Sequence, residues 1–289
     1  MKKRILFLAL LCMCLSLTAG CARPSAEQPM HHEAPDSSTA ADSEVLIEDE
    51  PPQFITCRIV DGAENGVLTL AEHGAGGSGV YTLGLGALPE GVLPEEPLRS
   101  GQLVNVYYGA FTETWPMGFG GVTAIEIVEG NFDNLCSLYL KVLEDLWSAD
   151  PALSEGVEFV GIDLSQASLS PSEQSAVGWI FAGNHGAELL VGSVEELAEQ
   201  GWITATPLST CGSGTDLSEP EHFFYEWENG CHFSIAEQPM EGTYSLVPVT
   251  FDATKWRSSL GAYMFCGCTA VQSALGEWSD YTIESEVIS

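Results

Sequence analysis

The chain has very few basic residues. Only 9 of its 289 residues are lysine or arginine, against 41 aspartates and glutamates. Three of the nine, Lys2, Lys3 and Arg4, stand at the start of the sequence. Nucleic acids and anionic lipid surfaces attract proteins through clustered lysines and arginines, so this scarcity excludes both as partners. Such a charge suits a protein held beside an anionic cell wall, or one that attracts cations weakly.

The sequence also lacks an apolar run long enough to cross a bilayer. The most apolar stretch, residues 5–17, has 13 residues, whereas a transmembrane helix needs about 20. It follows the basic residues 2–4 and precedes the small residues Ala19 and Gly20, an order typical of a cleaved export signal. A cysteine, Cys21, comes directly after them.

The stretch Leu17-Thr18-Ala19-Gly20-Cys21 resembles the lipobox of bacterial lipoproteins of the Gram-positive type, with Thr18 where leucine is usual. The resemblance implies cleavage before Cys21, so that residues 1–20 are a signal peptide and the Cys21 thiol carries a diacylglycerol. Two acyl chains anchor a protein stably, whereas one is marginal. The alternative is an ordinary secretory signal that releases a soluble protein.

The mature chain would keep 6 basic and 41 acidic residues, a net charge of −35. After Cys21, residues 22–52 contain no aromatic residue and are rich in alanine, serine, proline and acidic residues. Such a composition predicts a disordered tether over 21–52. We therefore predict that the protein is located on the outer face of the cell membrane, with Cys21 as its membrane contact.

Residues 53–130 have the pattern of a small β-domain. Apolar runs that are typical of strands occur at 54–60, 67–71, 80–85, 102–108 and 122–128. Five strands at this spacing predict a small OB-like β-barrel. Residues 113–116 and 124–127 resemble small β-domains of uncharacterised Gram-positive lipoproteins. The glycines at 74, 76 and 79 match G-x-G-x-x-G, but a further strand follows them, so we predict a hairpin loop without a dinucleotide site.

Residues 131–289 combine helices with later strands. Apolar residues between Leu135 and Trp147 recur every three or four positions and predict a helix. Capping boxes at Ser170 and Ser193 predict the starts of two more helices. The Asn229-Gly230 pair predicts a type I′ hairpin between strands at 223–228 and 231–235. Further strands are expected at 244–251, 261–266 and 281–288. This order predicts an α+β domain with helices on an antiparallel sheet, following the barrel domain.

Six cysteines other than Cys21 follow the predicted signal, and outside the cell they can form disulfides or stay as buried thiols. They are Cys57, Cys136, Cys211, Cys231, Cys266 and Cys268. The Cys266-Gly267-Cys268 pair could share a soft metal with Cys231 and His232 across a sheet. The spacing does not match a zinc signature, so we predict no metal and no cofactor.

No catalytic motif is complete. The stretch 211–215 misses G-x-S-x-G by one position, and a nucleophilic pair of Cys231 or Cys211 with His185 or His222 has no local signature. The best carboxylate set for glycoside hydrolysis is Asp163, Glu226 and Glu228. With 41 acidic residues such a set arises easily by chance, and we assign no catalytic residue.

Two features are candidates for ligand binding. Lys255 and Arg257 flank Trp256 in a strongly acidic segment, where they predict either an ion pair or an anion site. Trp227 belongs to an aromatic run at 223–233 that predicts either a stacking platform or core packing. The sequence favours a non-catalytic binding or assembly module of the cell envelope. The alternative is an extracellular hydrolase that acts on envelope polymers or peptides.

Overall fold

The described structure begins with a seven-stranded sheet. A computed structural model of the chain describes residues 53–74, 76–207, 223–239 and 248–289, to which all structural statements refer. The predicted signal peptide, Cys21, the tether, Cys211 and His222 lie outside these residues. The strands of the first sheet are β1 (Phe54–Asp61), β2 (Val67–Glu72), β3 (Val80–Gly84), β4 (Leu103–Tyr107), β5 (Ala110–Phe111), β6 (Met117–Gly120) and β7 (Ala124–Val128).

The first sheet has the order β5-β6-β3-β2-β1-β4-β7 and curves into a half-barrel. β3 and β6 run parallel, and the other pairs run antiparallel. Ile59, Leu68, Leu70, Val104 and Val106 are fully buried in its core. The glycine-rich stretch at 74–79 joins antiparallel strands β2 and β3, which confirms the predicted hairpin loop.

The rest of the described chain forms a nine-stranded sheet and three α-helices. The helices are α1 (Leu135–Ser148), α2 (Pro171–Asn184) and α3 (Val194–Glu199). The strands are β8 (Phe159–Gln166), β9 (Glu188–Val191), β10 (Thr204–Pro207), β11 (Phe223–Glu226), β12 (Gly230–Glu237), β13 (Pro248–Ser258), β14 (Gly261–Gln272), β15 (Trp278–Thr282) and β16 (Ser285–Ile288). The sheet order is β10-β11-β13-β12-β8-β9, and β14 joins β13 to β15 and β16.

The predicted helix starts are confirmed. The Ser170 and Ser193 side chains each accept the N–H of the glutamate three residues later, and that glutamate accepts the N–H of the serine in return. Both capping boxes therefore form as the local sequence dictates. α1 buries the predicted apolar face, including Tyr139, Val142 and Leu146. No helix within the described residues is both long and apolar enough to span a bilayer.

α1 and α2 pack against both sheets. α2 contacts β1, β2 and β3 of the first sheet and β8 and β9 of the second. Val60, Ala71 and Val80 of the first sheet share one core cluster with residues of α1, α2 and the second sheet. Polar links join the same parts, because Arg58 Nε donates to Glu173 Oε1 at 3.0 Å.

The predicted fold class is wrong. The described residues are mostly β, with two large mixed sheets of seven and nine strands, and they contain neither the predicted five-stranded barrel nor an antiparallel sheet with helices on it. All five runs predicted at 53–130 contain strands, but the short strands β5 and β6 extend their sheet. β12 and β9 each pair with β8 in parallel, so the second sheet is not antiparallel throughout. The predicted division at residue 130 falls in the loop before α1 and stays a prediction.

The predicted hairpin at Asn229-Gly230 is also wrong. β11 and β12 flank this turn, but β13 lies between them and pairs with both. The Trp227 ring packs directly over Gly230, where an added Cβ would lie 2.0 Å from Trp227 Cε2. The Trp227 backbone N–H donates to the Arg257 carbonyl of β13 at 2.9 Å. The turn between β11 and β12 is therefore bonded to β13, the strand that separates them.

A candidate peptide-binding groove

β9 is an edge strand with one open side. Its partner within the described residues is β8, which runs parallel to it. Glu188 N–H donates to Glu158 O at 2.9 Å, and Gly192 N–H donates to Ile162 O at 3.0 Å. Since alternate residues of a parallel pair face the partner strand, Leu189 and Val191 direct their N–H and C=O groups toward the open side. These four backbone groups can pair with a further strand.

A groove of about 430 Å³ runs along this edge. Its walls are mostly apolar and come from α2, β9 and the loop between β5 and β6. The principal lining residues are Trp115, Trp179, Ala182, Ala187, Leu189 and Val191. Trp115 is 58% exposed and Val191 is 65% exposed, so the groove presents large apolar side chains to solvent. Tryptophan is enriched where proteins bind one another.

The loop that carries Trp115 is held by its own hydrogen bonds. Thr112 Oγ1 accepts the Gly118 N–H at 2.6 Å, and Thr114 Oγ1 donates to Pro116 O at 2.9 Å. The two threonine hydroxyls lie 2.8 Å apart. The exposed indole is therefore presented by an internally bonded turn, in which a cis peptide joins it to Pro116.

α2 fixes the other wall of the groove. A Cβ added at Gly178 would lie 3.3 Å from Leu189 Cδ1, which shows how closely the helix approaches β9. The Ser170 capping box fixes where the helix starts, and Gly186, with φ of 65°, turns the chain into β9. Trp179 lies on the side of α2 that faces the groove.

His232 fixes the end of β9 from the face of the sheet opposite to the groove. His232 Nε2 lies 2.9 Å from Gly192 O, and because a carbonyl only accepts, Nε2 carries a hydrogen and donates it. Burial lowers the pKa of His232, which favours the neutral ring. Gly192 has φ of 139°, which favours glycine, and the α3 capping box begins at the next residue. His232 thus positions the strand rather than a metal.

The described part of the chain is strongly acidic, and one acidic side chain lines the groove. The described residues include 5 basic and 29 acidic side chains, and Glu188 lines the groove. Each of the five basic side chains already has a partner: Arg58 with Glu173, Arg99 with Glu277, Lys141 with Asp145 and Asp280, and Lys255 and Arg257 with backbone carbonyls. A bound anion would therefore find no unengaged cation on this part of the chain.

Lys255 is fully buried at the end of α1. Its Nζ donates to the carbonyls of Trp147 at 2.9 Å, Ala149 at 2.7 Å and Asp150 at 3.1 Å. An ammonium group has three hydrogens, so all three are used. Burial lowers the pKa of Lys255. Lys255 therefore forms no ion pair of the kind predicted with any described residue. Its ammonium group binds carbonyls at and just beyond the end of α1, where the helix itself supplies no donor.

The other proposed ligand-binding residues are also engaged. Arg257 Nη1 donates to Glu155 O at 2.7 Å and to Leu153 O at 3.2 Å, and its Nη2 donates to Glu228 O. Trp256 and Trp227 pack in a small cluster with Leu197 and Ile203 of the α3 region. The Trp227 Nε1 atom is buried without a hydrogen-bond partner among the described residues. Ligand binding at Lys255, Trp256, Arg257 and Trp227 stays a prediction.

The three candidate carboxylates do not meet. Asp163 lies on β8, whereas Glu226 lies on β11, three strands away in the sheet order. Strands lie about 4.8 Å apart, so this separation alone is roughly 14 Å. Paired glycosidase carboxylates lie about 5 to 9.5 Å apart. Glu228 follows Glu226 in an exposed turn. The arrangement does not support the carboxylate version of a hydrolase.

The cysteines of the described residues do not come together in a group that could hold a metal ion. Cys231 is buried in the core, whereas His232, its neighbour in the strand, points to the opposite face. A bulge at Gly267, with φ of 63°, separates buried Cys268 from half-exposed Cys266. No group of three or more potential ligands occurs within the described residues. Burial raises the pKa of the Cys231 and Cys268 thiols to about 12, which disfavours a nucleophilic thiolate.

Comparison of the chain with protein-family models, curated proteins and solved structures finds no match. The groove is therefore interpreted from its own geometry. Sequence analysis missed β9 and both groove tryptophans. The Glu-Leu-Leu-Val run between Gly186 and the Ser193 cap is the one local signal that could have indicated a short strand.

Proposed function

We propose that this protein is a non-catalytic binding module on the outer face of the cell membrane, where lipidated Cys21 anchors it. It binds an extended segment of a partner protein, which adds as a strand to the open edge of β9. In this mode main-chain hydrogen bonds supply affinity, and pockets for alternate side chains supply specificity. The observation that carries the proposal is the open edge of β9 beside a groove lined by Trp115 and Trp179.

The geometry favours a strand over a compact ligand. Leu189 and Val191 offer two N–H donors and two C=O acceptors in the spacing of a β-ladder. Every second side chain of an added strand would point into the apolar groove between β9 and α2. The groove thus fits a segment in which apolar residues alternate with polar ones.

The negative charge of the protein favours one kind of partner segment over others. The groove carries Glu188, and the described part of the chain has an excess of 24 acidic side chains over basic ones. A basic segment is attracted by this field, whereas a free C-terminal carboxylate is repelled. We therefore expect an internal partner segment with lysine or arginine at its polar positions.

The test uses a displayed library of random ten-residue peptides selected on the mature protein. We expect the selected peptides to alternate apolar and basic residues and to shift the backbone amide resonances of Leu189 and Val191. Selection of compact or acidic peptides, or binding that leaves these two amides unshifted, would contradict the proposal.

Two variants make the test specific for strand addition. Val191→Pro removes an N–H that points away from β8, so the hydrogen bonds between β9 and β8 are kept. Proline is tolerated in an edge strand when its nitrogen faces solvent. We expect it to weaken peptide binding at least tenfold, whereas Val191→Thr, which keeps the N–H, binds within about twofold of the wild type. Equal binding by folded V191P and the wild type would show that the peptide does not pair with β9.

A further inference from the structure

A second cavity lies at the far end of the nine-stranded sheet, near the start of α1. Its volume is about 420 Å³. Leu135, Pro239, Pro248, Val249 and Trp278 form apolar walls, and Glu237 and Ser168, whose side chains bond each other, also line the cavity. The β9 groove shares none of these residues, so the cavity is a separate site.

Glu237 is held firmly by neighbouring donors. Its Oε1 accepts from Tyr139 Oη and from Ser168 N, each at 2.5 Å, and its Oε2 accepts from Ser168 Oγ at 2.6 Å. The carboxylate and burial together raise the pKa of Tyr139 strongly, with burial the larger cause. A carboxylate has about four acceptor positions. Three are used, so Oε2 has one position left for a ligand donor.

The indole wall is equally well fixed. Asn134 binds the Trp278 backbone twice, because its Nδ2 donates to Trp278 O at 2.9 Å and its Oδ1 accepts the Trp278 N–H at 2.7 Å. The indole Nε1 donates to Asp133 Oδ1 at 3.0 Å. The amide nitrogens of Gln238 and Gln272, which also line the cavity, donate to Asp252 and Gly276. Both side-chain amides are therefore engaged within the protein.

The charge on Glu237 has no counter-ion in the described part of the chain. The five basic side chains there bind other groups, and Glu237 accepts from neutral donors. An anionic group beside apolar walls and an indole suits a cation with a hydrocarbon stem, since an ammonium can hydrogen-bond the carboxylate and approach the aromatic face. We propose that this cavity binds a small primary amine in its protonated form, with an apolar chain.

The test is calorimetric titration with n-hexylammonium chloride at low ionic strength, with n-hexanol and sodium hexanoate as matched probes. We expect the ammonium to bind at least tenfold more tightly than hexanol and hexanoate not to bind. Glu237→Gln keeps the shape and should lose at least tenfold in ammonium affinity while hexanol binding is unchanged.

Glu188→Gln is the control for general acidity, because it removes one charge at the separate groove and should leave hexylammonium binding unchanged. An equal loss in E188Q and E237Q, or equal affinity for hexanol and hexylammonium, would overturn the proposal. If E237Q does not fold, the wild type still decides the matter. Hexylammonium must shift the indole N–H resonance of Trp278, assigned with Trp278→Phe, and an unshifted resonance overturns the site.

Discussion

Lys255 illustrates what a rare basic side chain does in this protein. Its ammonium group caps three carbonyls at the end of α1 instead of pairing with a carboxylate, although acidic residues greatly outnumber basic ones. Arg257 acts similarly on the neighbouring turn, where it binds carbonyls of Leu153 and Glu155. Both side chains stabilise irregular backbone that regular secondary structure leaves without partners.

Replacing Lys255 should therefore be costly. In Lys255→Met the stem keeps its packing, but the Ala149 carbonyl loses its donor. The carbonyls of Trp147 and Asp150 each lose one of two donors and keep Ser154 Oγ and the Leu153 N–H. We expect the free energy of unfolding in urea to fall by about 1 to 3 kcal/mol. Lys141→Met is the control, since Lys141 forms an exposed pair with Asp145 and should cost less than about 1 kcal/mol. Similar losses in the two variants would contradict the capping role.

At the scale of elements, local sequence signals predicted where helices start, but they did not predict which strands pair. The Ser170 and Ser193 capping boxes depend on residues within one helical turn, and both formed as predicted. The Asn229-Gly230 pair is an equally local signal, yet β13 inserts between the strands beside it. The ring of Trp227 packs over Gly230, and the Trp227 backbone N–H donates to the carbonyl of Arg257, which lies 30 residues away in the sequence.

The same reasoning explains why the candidate site was missed. A strand becomes an edge only when the rest of the sheet is assembled, so β9 could not be recognised as open from its four residues. Trp115 and Trp179 lie on different elements, and tertiary packing brings them to one groove. Five strands of the first sheet were found because each has its own apolar run, whereas β5 has only two residues.

The inserted strand can be tested at Gly230. In Gly230→Ala the new methyl group would lie within 2.4 Å of three Trp227 ring atoms, so the ring must move from its buried position. We expect a loss of about 3 kcal/mol in urea unfolding. Gly84→Ala is the matched control, because Gly84 has φ of −77° and no atom within 4 Å of the added Cβ. It should be neutral or stabilising by about 0.5 kcal/mol. A neutral G230A would show that Trp227 does not fix the turn.

At the scale of the whole molecule, the proposed lipid anchor and the acidic surface act together. A mature charge of −35 repels anionic lipid headgroups, so the surface does not hold the protein to the membrane. In the proposed arrangement attachment depends on the acyl chains at Cys21, and a tether over residues 22–52 would keep the candidate groove accessible to partners outside the cell.

The anchor predicts a defined mature form. Intact-mass measurement after expression in a Gram-positive host should find a chain that begins at Cys21 and carries the added mass of a diacylglycerol. Cys21→Ala should leave the membrane fraction, because the single covalent anchor is lost. Cys266→Ala is the control, since that half-exposed thiol lies in β14 and should not affect attachment. A Cys21 amino terminus without acyl mass, or membrane retention of C21A, would contradict the anchor.

The burial of Lys255 and Arg58 has a consequence for the resistance of the folded chain to proteases. Trypsin-like proteases cut after lysine and arginine and must draw that side chain into a pocket of their own. Lys255 is fully buried, and Arg58 is 8% exposed and held by Glu173 and two carbonyls. Cleavage after these residues has to await local unfolding, so its rate follows the stability of the fold rather than the number of sites. Burial of these two side chains thus limits digestion of the folded chain at Lys255 and Arg58 by proteases of this class.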